Sequence, residues 1–219
     1  MKPGAALWIC FLLTLAVCVQ PAESATIFSN LVQPGNMYGP DSVGVGAIPV
    51  PGIFLYTATN FTPALSYRLT SLELPVAVVS GSAAIDVLLL ADAGNVPGAL
   101  VEAFHLTGFQ VPGPTSLTTV PSSQHPVLNA GAQYWVAVTG GTPTTFVMWG
   151  LTLFAGDPTQ GGASRTIDHG LDLGWTRYSG TRVGALEVDG DAVPEPAAIL
   201  SVGAGLLTFA GLRRIRCSF

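Results

Sequence analysis

Between residues 26 and 192 the chain has no cysteine and no lysine. Its three cysteines, Cys10, Cys18 and Cys217, all lie outside that stretch. The body therefore holds no disulfide, no thiolate metal or iron–sulfur site and no cysteine nucleophile, so it depends on packing alone. Charge is scarce as well, with 10% of the chain Asp, Glu, Lys or Arg. In the body, Arg68, Arg165, Arg177 and Arg182 stand against eleven acids between Asp41 and Asp191, a net of −7. No basic patch forms, which argues against nucleic-acid binding. His105, His125 and His169 are the only histidines. None falls in H-x-H, H-x-x-H or H-E-x-x-H spacing, so a local zinc signature is missing. A G-x-S-x-G nucleophile elbow is missing too.

What is present is concentrated first at the two ends. Lys2 opens a short basic region, and a fifteen-residue apolar run follows from Ala5 to Val19. That length suits the core of a signal peptide and is short for a membrane span. Small residues at Ala22 and Ser24 place cleavage after Ser24, with Ala25 as the second choice, so residues 1–24 are expected to be a signal peptide. Leu15-Ala16-Val17-Cys18 has the outline of a lipoprotein box, but Val17 stands where Gly or Ala belongs.

At the other end sixteen apolar residues run from Ala197 to Leu212, closed by Arg213, Arg214 and Arg216. As a helix this run reaches about 24 Å, slightly less than a bilayer core. Flanking arginines snorkel to relieve the mismatch and favour the cytoplasmic side. Together the two ends predict an exported body on an inner-membrane, single-pass precursor. Signal peptide, Sec translocon, signal peptidase and membrane lipid would all handle it.

Pro194-Glu195-Pro196, the short apolar helix and the arginine cluster follow in order over residues 192–216. This tail resembles the PEP-CTERM sorting signal. The resemblance implies processing by an exosortase-type enzyme and delivery to the cell surface, the outer membrane or the extracellular space. It makes Pro194, Glu195 and Pro196 the recognition and processing region. Without that processing the same segment would serve as a plain single-pass anchor.

Residues 25–191 read as one all-β domain. Strand-like runs are Ile27–Val32, Gly52–Thr57, Ser66–Leu74, Ala84–Ala91, Gly98–Thr107, Thr115–Val120, Gln133–Thr139, Thr145–Phe154 and Arg182–Val188. Each is rich in Val, Leu, Thr or aromatics and bounded by turn residues. The Gly/Pro-rich stretch Gln33–Gly52 reads as a long loop or irregular edge. Tyr67, Leu69 and Leu72 do not share one face by period two, which predicts a bulge or twist. Tyr134, Val136 and Val138 alternate with Trp135 and Ala137, so two opposite faces are expected there. Eight or more short strands predict an antiparallel β-sandwich or jelly roll. A signal-peptide helix and a transmembrane helix would flank it.

The segments Ala91-Asp92-Ala93-Gly94-Asn95-Val96-Pro97-Gly98-Ala99-Leu100 and Tyr134-Trp135 carry a second likeness. The body resembles the choice-anchor families of exported bacterial β domains, in particular the R type. That implies an extracellular β-sandwich and names a scaffold without an activity.

Candidate chemistry is thin. Carboxylates for glycan hydrolysis would come from Glu73, Asp86, Glu102 or Asp168, with Asp86 and Glu102 expected at solvent-facing strand positions. Calcium would look to loop oxygens, pairing Asp92 with Asn95, Asp168 with Asp172 or Asp189 with Asp191, although turn capping explains the same residues. No other cofactor is expected. Trp135 and Trp149 fall inside strand runs and read as core, while Trp175 with Tyr178 is the best candidate for stacking on sugars. The expected function is a non-enzymatic surface or matrix protein of structural or interaction type. An exopolysaccharide-binding module is the alternative, and glycan hydrolysis a distant third.

Overall fold

The alternation of residues 134–138 becomes strand β9 (Tyr134–Gly140) in a computed structural model of the chain. Tyr134, Val136 and Val138 enter the main core, and Trp135 and Ala137 enter a smaller cluster on the opposite face. The structure describes residues 24–31, 39, 41–152, 161–179 and 181–193. The signal-peptide segment up to residue 23, the motif Pro194-Glu195-Pro196, the helix expected over 197–212 and the arginines Arg213, Arg214 and Arg216 lie outside the described residues. Among the described residues no helix is long and apolar enough to cross a membrane.

The other strands are β1 (Ala25–Ser29), β2 (Ser42–Ala47), β3 (Ile53–Phe61), β4 (Tyr67–Ser80), β5 (Ala84–Asp92) and β6 (Pro97–Thr107), then β7 (Ser116–Pro121), β8 (Val127–Leu128), β10 (Phe146–Gly150), β11 (Gly162–Asp168), β12 (Leu171–Tyr178) and β13 (Glu187–Ala192). They form one antiparallel sheet that curls into a half-barrel. Its main path is β1-β13-β4-β10-β2-β3-β9-β5-β6, with β7 and β8 on β4 and the β11–β12 hairpin on β3.

Strand β4 organises one half. Its first part pairs with β13 and its last part with β10. Pro75, which has no N–H to give, falls where β4 passes from one neighbour to the other. The expected bulge is present: Ser71 faces Asp189 while Leu69 faces Gly190, leaving Thr70 as the extra residue. That single insertion lets Leu69, Leu72, Leu74, Val76 and Val78 all reach the same core.

Trp149 on β10 is fully buried in that core, and its indole N–H donates to the Ala185 carbonyl at 2.9 Å. The backbone comes this close because residue 184 is glycine. A Cβ there would lie 2.4 Å from the Trp149 ring.

Glu102 corrects the expectation of a solvent-facing acid. It is 1% exposed and turned inward from β6. Its carboxylate accepts hydrogen bonds from Ser122 Oγ (2.7 Å), Ser123 N (2.8 Å), Ser123 Oγ (3.2 Å) and Gln124 N (3.0 Å). Burial acts to raise its pKa, but the four donors outweigh that and hold it below the ordinary carboxylate value. Glu102 thus ties β6, one end of the sheet path, to the turn between β7 and β8, which hang on β4. Among the described residues no buried side-chain nitrogen or oxygen lacks a partner.

Candidate functional site

Period two in β3 sends Phe61 to the main core and Ala58 to the smaller cluster. Phe54 and Tyr56 share the Ala58 face, which is the outer face of the sheet. Register then builds a row across several strands. Tyr56 stands opposite Arg165 on β11, and Arg165 opposite Trp175 on β12. On the far side Thr139 stands opposite Asp86, and Asp86 opposite His105 on β6. The neighbouring row is Ala163, Ala58, Ala137 and Leu88. These small side chains let Trp135 and Trp175 pack over the sheet and close the second cluster.

The aromatic part is a ladder. Phe54 and Tyr56 meet edge-to-face at 5.5 Å and 67°, and Tyr56 and Trp175 at 6.2 Å and 68°. The Arg165 guanidinium sits 5.4 Å from the Tyr56 ring centre. It also forks onto Asp172, with Nε to Oδ1 at 2.9 Å and the second nitrogen on Oδ2. The Arg165 hydrogen bonds, helped by the Gly174 N–H, lower the Asp172 pKa to about 2. The same bond raises Arg165.

Beside this ladder a groove of about 750 Å³ opens. Phe54, Tyr56, Thr139 and Asp86 line it, with Ile167 also contributing. The β2–β3 turn, residues 48–52, forms one flank, and the β9–β10 turn, residues 141–144, forms the other. Hydroxyls hold the second turn: Thr142 Oγ1 and Thr145 Oγ1 lie 2.8 Å apart, and Ser82 N donates to Thr145 Oγ1 at 3.2 Å. The first turn is braced by the β11–β12 turn, where His169 N donates to the Gly52 carbonyl at 2.7 Å. At the rim His105 Nδ1 donates to Asp86 Oδ1 at 2.6 Å, since a carboxylate only accepts.

Among the calcium candidates, Asp92, Asp168 and Asp172 are each engaged by other groups of the chain. Asp92 Oδ2 accepts from the N–H groups of Gly94 (3.1 Å) and Asn95 (3.0 Å). Its Oδ1 accepts from Gln133 Nε2 and Trp135 Nε1, each at 2.8 Å. Burial acts to raise its pKa, but these donors together lower it. Asn95 contributes its backbone in the left-handed region, φ 70°. Asp168 pairs with His169 at 2.6 Å, and Asp172 with Arg165. Among the described residues no group of three or more His, Cys, Asp or Glu converges for a metal.

Of the two proposed stacking residues, Trp175 joins the ladder and Tyr178 does not. Tyr178 packs at Gly162, where a Cβ would touch its ring, while Trp175 shares the face of Ala163. Three positions separate the two along β12, so a period-two strand points them to opposite faces. Phe54, Tyr56 and Arg165 were not singled out from sequence. The alternation Phe54-Leu55-Tyr56 was available as a signal, but the register that brings Arg165 and Trp175 beside it was not.

No protein-family model matches the chain, and no curated protein is detectably similar to it.

Proposed function

We propose that the chain is the precursor of an exported cell-surface protein whose β domain is a non-enzymatic interaction module. The curled sheet is read as a sandwich of jelly-roll type, with the Glu102 contact as the link that brings its halves together. The outer-face groove is the contact surface. What carries this reading is the lining of that groove: an aromatic ladder on one side, hydroxyls on the other, and Asp86 as the sole carboxylate among the lining residues. Hydrolysis of a glycan calls for a second carboxylate facing the first at roughly 5–9 Å, and the lining does not supply one.

The ends complete the proposal. Residues 1–24 direct export, and residues 192–216 act as a PEP-CTERM-like sorting signal cut by an exosortase-type enzyme. Replacing Pro194, Glu195 and Pro196 with alanine is expected to leave export intact and to change the size or surface retention of the mature protein. Unchanged processing and placement in the native bacterium refutes the sorting reading. For the module, the full chain should co-sediment with insoluble extracellular matrix from that bacterium, and Phe54→Ala should lose most of this retention. Equal retention of both proteins, or of neither, refutes the groove as contact surface.

A further inference from the structure

Two features of the outer face lie outside both core clusters: the groove, with Phe54 and Tyr56 of the ladder in its lining, and the spare acceptor capacity of Asp86. The carboxylates of Asp92 and Glu102 each take four hydrogen bonds from their own chain. Asp86 takes one, from His105 onto Oδ1, and among the described residues none reaches Oδ2. Its side chain is 35% exposed and opens into the groove. A carboxylate placed like this accepts hydrogen bonds from incoming hydroxyls.

The groove is two-sided in chemistry. Phe54, Ile53 and Ile167 give an apolar flank, and Asp86, Thr139 and Thr142 give an oxygen-rich one. A purely apolar ligand would strip water from those oxygens without replacing it, which is unfavourable for each group left unpaired. An anionic ligand would meet the Asp86 carboxylate, whose one hydrogen-bond partner, His105, is already turned onto it. Arg165, the nearest guanidinium in the row, is already forked onto Asp172, and the body has no lysine. A pyranose ring matches both flanks, since it carries an axial C–H face for an aromatic ring and equatorial hydroxyls for a carboxylate. The volume also falls within the roughly 300–1,000 Å³ typical of small-ligand clefts.

The geometry points to a glycan subsite in this groove that selects neutral sugars over acidic ones, with Asp86 as hydroxyl acceptor, His105 as its positioning residue and Phe54 as the apolar floor. This rests on the reading of the domain as an interaction module.

The test is titration of the detergent-solubilised full chain with two neutral glycans, laminarin and galactomannan, and two acidic ones, alginate and polygalacturonate. At least one neutral glycan should bind, and the acidic ones at least tenfold more weakly. Asp86→Asn and Phe54→Leu, both close in shape to the native residues, should each weaken neutral binding about tenfold while circular dichroism stays unchanged. Absence of neutral binding overturns the inference, as does equal or tighter binding of alginate. Neutral binding that both variants retain in full moves the subsite elsewhere and overturns it as well. Retention of peptides through the same residues, with no glycan bound, overturns the sugar assignment alone. Matrix co-sedimentation that depends on Phe54 would then still stand for the broader reading, and its loss would remove both.

Discussion

Strand β9 is buried on both faces, and the two faces are built to different rules. On the inner face Tyr134, Val136 and Val138 belong to a cluster of twenty buried apolar residues drawn from most of the sheet. Polar groups that enter there are saturated: the Trp149 indole has its carbonyl and Glu102 its four donors. On the outer face five buried residues, Trp135 among them, make a smaller cluster that Trp175 packs against. Beyond it come half-buried rings, exposed ion pairs and an acid with a free oxygen. A fold gains nothing from leaving acceptors open beside aromatic rings, so the contrast separates what holds this protein together from what it presents. It also predicts that inner-face substitutions act on stability and outer-face substitutions on binding.

The largest break of that comparison is at Trp149. Trp149→Ala should destabilise by about 3–5 kcal/mol through lost burial and the cavity left behind. Gly184→Ala pushes a methyl into the same ring and should cost about 1–3 kcal/mol. Both read as a lower denaturation midpoint in urea with little change in slope. An effect at Gly184 below about 0.5 kcal/mol would show that the ring and backbone are not in the contact described.

Glu102 comes next. Glu102→Ala strands the donors of the 122–124 turn and should cost about 2–3 kcal/mol at neutral pH. Glu102→Gln keeps an acceptor for Ser123 and Gln124 and should recover most of it. The two differ again in acid. A carboxyl held below its unfolded value of 4.5 contributes stability that is present above that value and is lost as pH falls through the folded pKa. Asp92, lowered from 3.8, acts in the same direction. Wild type should therefore lose stability below about pH 4.5, and Glu102→Gln should lose less over the same window. Parallel pH profiles for the two proteins would contradict the assignment.

Arg165→Ala, on the outer face, should change stability least. It removes an exposed ion pair, which solvent screens, and one cation–π contact at the surface. Urea denaturation that instead matches the Glu102→Ala loss would erase the distinction between the faces.

The legible part of this fold was local. Alternation in residues 134–138 gave both faces of β9, and the conflict among Tyr67, Leu69 and Leu72 gave the bulge at Thr70. The segment Asp92–Gly98 stands out in the sequence, and its role in the fold is structural: Asp92 caps its own turn and grips the Trp135 indole, joining this segment to Tyr134-Trp135. Non-local packing was hidden. The glycines of strand β2, SVGVGA, give it the look of a loop, yet a Cβ on Gly44 would lie 2.7 Å from the Phe146 ring. Glycine is there to admit a cross-strand ring. The β11–β12 hairpin escaped notice because its outer strand exposes Leu171 and Leu173, which blurs the apolar alternation. The apolar run Ser66–Leu74 stops short of Pro75, although the ladder runs on to Ser80. At the site, Trp175 could be picked out as an aromatic near a turn. Arg165 faces it across the β11–β12 hairpin, but Tyr56 joins them through register between β3 and β11, more than a hundred positions apart, and spacing within one segment carries no such information.

Asp86→Asn puts the central claim to the most direct test, because it alters one oxygen on the outer face and nothing in the core. Matrix retention and thermal unfolding should be measured on the same preparation of the full chain. The account predicts an unfolding midpoint equal to that of the wild type together with weakened retention. Full retention, or a midpoint that falls in step with retention, would contradict it.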